Sequence, residues 1–267
     1  MASGKNSRAV RGARAAVVAR RSTPWGLIAG ILVVVLFAGG IFGYYVVQNN
    51  AKQAKAAALT AYTPSETNKD PSTRIQGVVA QPYAGAQHVQ PNQTVAYTHS
   101  PPFGGTHDGY WAACNGVVYP TAVRNENMVH ALEHGSVWIA YNPDTITGDA
   151  VKTLAAKVNG QPYSLMSPYP GLDQPISLQS WGHQLKLSDP NDPRIDEFIQ
   201  ALRSNQYQYP EPGASCQALG PGAFDQDNPP PFKPAPPVSA VNNTTVMPEV
   251  IAGAKGVTPD AAKAPGQ

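Results

Sequence analysis

A run of 23 uncharged residues, Trp25 to Val47 (WGLIAGILVVVLFAGGIFGYYVV), constrains this chain more than any other feature. About 20 apolar residues cross a bilayer as a helix, and a helix apolar on every side offers water no polar face. Trp25 and the pair Tyr44-Tyr45 sit at its ends, where aromatic rings favour the interface. Gly39, Gly40 and Gly43 lower helix propensity in water but are common in membrane helices. Six of the eight Lys/Arg of residues 1–65 precede the run, and Lys52 and Lys55 follow it. The positive-inside rule puts the N-terminus in the cytoplasm and residues 48–267 outside. The alternative is a cleaved signal peptide with Ala54-Lys55-Ala56 as the cut site. Its apolar region normally spans about 7–15 residues, so an uncleaved, single-pass signal anchor in the plasma membrane is expected.

The net charge of +2 divides at residue 65. The first part has eight Lys/Arg and no acid, hence +8; the rest has eleven against seventeen, hence −6. Nucleic acid is therefore excluded as a partner, because the basic charge is not on the part that folds. The two cysteines, Cys114 and Cys216, both fall on the outer side. An even number of Cys in an oxidising compartment predicts a disulfide, and a redox role would need a CxxC pair that the chain lacks.

The organisation expected is a basic cytoplasmic tail over 1–24, a transmembrane helix over 25–47 and a stalk and linker over 48–74. An extracytoplasmic domain over 75–217 and a Pro-rich disordered tail over 218–267 follow. Twelve of the 27 prolines lie in 210–267. Such a segment has too little apolar residue to offset its ordering entropy. Within the domain, Asn125 reads as the N-cap of a short helix that stops at Gly135. The run Ser136–Tyr141 reads as a buried strand. An amphipathic helix covers 149–158, and a strand covers 163–167. A hairpin carries Ile176 and Leu178 against Leu185 and Leu187. Asp192 caps a last helix whose stripe is Ile195, Phe198, Ile199 and Leu202. Residues 75–123 read as long loops. The fold class is α+β (or α/β), with a thioredoxin-like fold as the alternative, suggested by Pro175 before a strand.

All six histidines lie between 88 and 183. His130 and His134 are i, i+4, so both imidazoles project from one helix face, the spacing of helical metal ligands. Glu133 completes H-x-x-E-H, the inverted zinc-protease motif. His107, in the loop Gly104-Gly105-Thr106-His107-Asp108, can supply a third imidazole, and His88 a fourth. Imidazoles outside the cytoplasm suit Zn or Cu. Met128 would add a soft ligand, but a lone Met more often fills a core. The bland alternative is a capped helix end with satisfied histidines. A hydrolase needs a further ligand and an open coordination position. Glu197, a later acid considered for that role, lies on a surface-like helix face. The P-loop, GxGxxG, GxSxG and CxxC motifs are absent, so no catalytic residue and no organic cofactor is assigned. Trp111, Trp138 and Trp181 read as packing.

Gln87-His88-Val89, Ser100-Pro101-Pro102 with Gly105-Thr106-His107, and Val129-His130-Ala131-Leu132-Glu133-His134-Gly135 together resemble the bacterial domain-of-unknown-function family numbered 3105. Pro168–Leu172, Pro175-Ile176 and Ser180-Trp181-Gly182 fit the same pattern. The resemblance covers about 75–210. It implies an exported, often membrane-anchored protein, frequently actinobacterial, and no established reaction. It marks His88, His107, His130 and His134 as the motif histidines and ranks His99 and His183 lower. The leading expectation is a membrane-anchored protein that binds Cu or Zn through His107, His130 and His134, with His88 beside them. The alternatives are a scaffold or accessory subunit of an envelope complex, for which Gly39-x-x-x-Gly43 offers a helix-pairing face, and an H-x-x-E-H metallohydrolase.

Overall fold

The computed structural model describes residues 23–242 and 244–247. The basic tail expected over 1–24 lies almost wholly outside the described residues, as does the Pro-rich tail from 248 on. The chain divides into two units, Met1–Lys55 and Ala56–Gln267.

The uncharged run forms helix α1 (Trp25–Leu59), 35 residues with none buried. At ~1.5 Å per residue it is about 50 Å long, more than the ~30 Å hydrocarbon core of a bilayer needs. The helix therefore runs without a break into the first part of the expected stalk and ends at Leu59. Among the described residues it is the helix long and apolar enough to cross a membrane.

The second unit is a mixed α+β domain. In chain order its elements are β1 (Val79–Ala80), β2 (His88–Val89), β3 (Thr94–Val95), β4 (His107–Asp108), β5 (Asn115–Val118), α2 (Asn125–Glu133) and β6 (Val137–Tyr141). They continue with α3 (Asp149–Ala155), β7 (Ser164–Pro168), β8 (Ile176–Ser180), β9 (His183–Leu187), α4 (Arg194–Leu202) and β10 (Thr245–Val246). Six strands form one sheet in the order β1-β9-β8-β6-β7-β5. β5, β7 and β6 run parallel, and β8, β9 and β1 continue antiparallel. Both faces are covered, which is why β6 reads as a continuous apolar run rather than an alternation. Val137 and Ile139 meet Leu154 and the α4 residues Ile195, Phe198 and Leu202. Trp138 and Ala140 meet Met128, Val129, Ala131 and Leu132 of α2 on the other face. Truncating Phe198, fully buried among these, would cost about 3–5 kcal/mol.

Several local expectations are corrected. Asn125 is the first helical residue of α2, and Arg124 precedes it as N-cap without a side-chain cap bond. The Arg124 side chain is committed elsewhere, to Asp108 and Glu126. Helix α3 ends at Ala155, though Val158 still packs in the core. Residues 75–123 are not all loop: β5 joins the main sheet, and β2 pairs with β4. Pro175 follows a trans bond; the cis X-Pro peptide among the described residues is Ser100–Pro101. The proline signature behind the thioredoxin-like alternative is therefore absent. The stretch from 218, expected as unordered, lies against the domain through its described part. Phe224 is fully buried, Phe232 packs on Tyr169, and β10 pairs with β3 in parallel. Aromatic side chains supply the apolar area that the prolines lack.

Candidate metal centre

β2 and β4 are parallel and in register, with His88 opposite His107 and Val89 opposite Asp108. Opposed residues on neighbouring strands share a sheet face, and the two imidazole centroids lie 4.8 Å apart. Helix α2 packs on β4 and brings His130 within 4.8 Å of the His107 ring and 5.1 Å of the His88 ring. His134, one turn on, lies 4.7 Å from the His130 ring. Trp111 covers His134 and His130 at 4.7 and 5.6 Å, and Trp181 stands 5.8 Å from His107. The helix stops there because Gly135 turns the chain with φ +88°, and an added Cβ would come within 2.6 Å of the Tyr209 ring.

The hydrogen bonds of the rings determine which nitrogen is available. Nδ1 of His107 lies 2.7 Å from the Gly105 carbonyl. Nδ1 of His130 lies 2.6 Å from the Asp108 carbonyl, and Nδ1 of His134 lies 2.6 Å from the Ser215 carbonyl. A carbonyl only accepts, so each Nδ1 carries the hydrogen and each neutral ring keeps its lone pair on Nε2. Backbone anchoring of this kind orients metal-binding imidazoles.

Two carboxylates face these lone pairs. Glu133 is fully buried, and its Oε1 accepts from Ala86 N–H at 2.6 Å. Gly85 makes that approach possible, because a Cβ there would lie 2.9 Å from the same oxygen and 2.5 Å from Pro210. Glu133 Oε2 lies 2.8 Å from His107 Nε2 and 3.9 Å from His88 Nε2. Glu211 Oε2 lies 3.2 Å from His134 Nε2. Yet Nε2 of His88 and His107 and Oε2 of Glu133 and Glu211 are buried without an aligned hydrogen-bond partner. Close approach without alignment is the arrangement of donor atoms that aim at a common point instead of at each other. One ligand atom from each of His88, His107, His130 and Glu133 lies within 4.8 Å of all the others, and the same holds for His130, His134 and Glu211. A tetrahedral ion with bonds of ~2.0–2.1 Å needs ligand atoms ~3.3–3.4 Å apart, so small side-chain shifts suffice.

The electrostatics favour lone pairs over protons at three of the four rings. Burial holds His88, His130 and His134 below the ordinary histidine value, and His107 adds to the effect on His88 and His130. Burial opposes charge on His107 too, but the Glu133 carboxylate outweighs it and raises that group. Burial likewise works against the charge on Glu133, and His107 and the Ala86 N–H overcome it, leaving its carboxyl below the usual range.

Residues 88–218 match the model of a family described as a protein of unknown function (DUF3105). Through this domain the chain belongs to that family. No curated protein and no solved structure matches the chain. The DUF3105 segment contains every residue of both ligand groups, whereas β1 and Asp70 precede it.

The four expected histidines thus gather at one place, but not as one set. His88, His107 and His130 converge with Glu133, and His134 turns instead toward Glu211. His99 and His183 stand apart: His99 lies on the Phe103 ring, and His183 is held by Trp181 O and Asp70. Met128 is fully buried in the core. Glu133, read in the sequence as the acid of the H-x-x-E-H motif, stands among the ligand atoms instead, and Glu211 has no place in the sequence reading. The signal available was the cysteine pair: Cys114 and Cys216 are joined, and that bridge brings 211–217 beside α2.

Proposed function

We propose that the protein is a single-pass, extracytoplasmic metal-binding protein. Its domain holds one transition-metal ion, Zn or Cu, through His88, His107, His130 and Glu133, with His134 adjacent. The observation that carries this reading is the buried set of lone pairs, brought close but unaligned, behind imidazoles whose Nδ1–H groups are fixed by the backbone. Nitrogen and carboxylate donors suit Zn(II) and Cu(II). When bound, the ion would supply the positive charge that the Glu133 carboxylate and the neutral rings face. The anchor helix and the disulfide support an oxidising compartment outside the cytoplasm. The geometry favours binding over hydrolysis. Both Glu133 oxygens face protein groups and the side chain is fully buried, which closes the carboxylate of the H-x-x-E-H motif to water.

The test is elemental analysis of the full, untagged chain in detergent, with melting curves before and after Zn or Cu addition. About one ion per chain and a rise in melting temperature are expected. No metal and no shift would end the reading.

A further inference from the structure

The two ligand groups have one member in common, His130. Its Nδ1 is spent on the Asp108 carbonyl, so it has one lone pair to give. Two ions cannot both be held through it. We infer that the centre offers a single ion two alternative positions that pivot on His130. The inner one is formed by His88, His107, His130 and Glu133, and the outer one by His130, His134 and Glu211. The outer position is the step by which the ion enters and leaves. This rests on the metal-binding reading given above.

The two positions differ in exposure and in support. The side chains of His107 and Glu133 are 0% exposed, so an ion in the inner position has no direct contact with water through them. Glu211 is 24% exposed at its side chain, against 13% for His88, the most exposed inner ligand, so the outer group comes nearer to solvent although the Glu211 Oε2 atom facing His134 is itself buried. The inner ligands sit on β2, β4 and α2. The outer ones depend on the segment 209–217. Glu211 N–H donates to the Glu133 carbonyl at 3.3 Å, and the Ser215 carbonyl accepts from His134. Gln217 O accepts from Trp111 Nε1 at 2.9 Å, and the Cys114–Cys216 bridge pins the segment next to these contacts. An ion that exchanges the His88, His107 and Glu133 ligands for His134 and Glu211, while still bound to His130, moves outward without ever being bare. Such stepwise ligand exchange lets a buried site load and unload without unfolding. An anionic group at the mouth also raises local cation concentration and the rate of capture.

The test uses the full chain in detergent with Zn(II) alone as probe, measuring zinc per chain and the rates of loading and of transfer to a chromophoric chelator. The wild type is expected to hold one zinc. Glu211→Gln should hold one zinc with little change in affinity, and both loading and transfer should slow by about tenfold. Glu211→Asp, which keeps the carboxylate, should recover much of the rate and provides the folded control. His88→Ala should weaken equilibrium binding by about 100-fold, because it removes an inner ligand. Two zinc ions in the wild type falling to one in Glu211→Gln would overturn the shared-pivot inference while leaving metal binding intact. Unchanged rates in Glu211→Gln would do the same. A wild type that binds no zinc or copper would remove the metal-binding reading itself.

Discussion

Two buried polar clusters lie side by side in this domain, and they are finished to different degrees. Around Arg124 each carboxylate is matched by the guanidinium charge and by a backbone donor. The guanidinium binds Asp108, reaches Glu126 at 3.2 Å and donates to the Gln93 carbonyl at 2.6 Å. Tyr110 N–H donates to Asp108 and Val95 N–H to Glu126, each at 2.8 Å. Around His130, carboxylate and imidazole atoms come as close as 2.8 Å and do not align. Asp108 belongs to both clusters, its side chain to the first and its carbonyl to the second. A cluster kept for stability satisfies its own atoms, since unmet buried polar groups are costly. One left open at the centre carries that cost for a ligand.

Breaking the closed cluster should have the largest effect. Arg124→Ala leaves two buried carboxylates unpaired and should cost about 3–5 kcal/mol in unfolding experiments. Metal binding should weaken with it, because Asp108 also orients His130. If Arg124→Ala unfolds at the wild-type midpoint, the cluster is not structural. Next comes His130→Ala, which removes the pivot. It should abolish measurable zinc uptake while the metal-free variant melts within a few degrees of the metal-free wild type. A large stability loss without metal would mean that the histidines are packing.

A smaller effect is expected from pH on the metal-free protein. His88, His130 and His134 titrate below 6.5 when folded. Below that pH the unfolded chain takes up protons that the folded chain resists, so stability falls as pH falls. His107, raised above 6.5, contributes with the opposite sign, and its stabilisation is lost as pH rises through its folded value. Among the histidines three groups stand against one, so melting temperature should drop as pH falls from neutral to about 6, and a flat profile there would refute this balance; burial raises Glu126 and Glu211, which oppose the drop at lower pH. Smallest is His183→Gln. His183 already has partners at both ring nitrogens, Trp181 O and Asp70. It should keep full zinc content and lose less than about 1 kcal/mol.

Elements with strong periodicity were legible from the residues alone. The apolar run of β6, the stripe of α4 and the hairpin β8–β9 are all where the pattern puts them. The two-residue strands β2 and β4 were not, because no period fits in two residues, and their pairing is tertiary. That pairing is what draws His88 toward His107, so proximity in sequence hinted at the cluster without giving its shape. The i, i+4 spacing of His130 and His134 gave one helix face and one ligand group, which Glu211 completes, but not the second group that His130 forms with His88, His107 and Glu133. Glu211 lies in a Pro-Glu-Pro turn with no motif of its own, and only the disulfide carries its position. In the Pro-rich stretch, Phe224 and Phe232 were the overlooked signs of packing.

The parallel pairing of β3 with β10 gives the molecule a clock. Thr94 and Thr245, side by side in the fold, are 151 residues apart in the chain. At ribosomal speeds of about 5–20 residues per second, the second appears roughly 8–30 s after the first. Throughout that interval the N–H groups of Thr94 and Ala96, which end up on the carbonyls of Thr244 and Val246, have no strand to meet. Arg124 N–H waits about two thirds as long for the Pro230 carbonyl. The flank of the closed ion cluster is therefore an open edge during biogenesis, and the late-made Pro-rich segment is its lid: a truncation that looks like trimming a tail would leave a nascent edge permanently exposed.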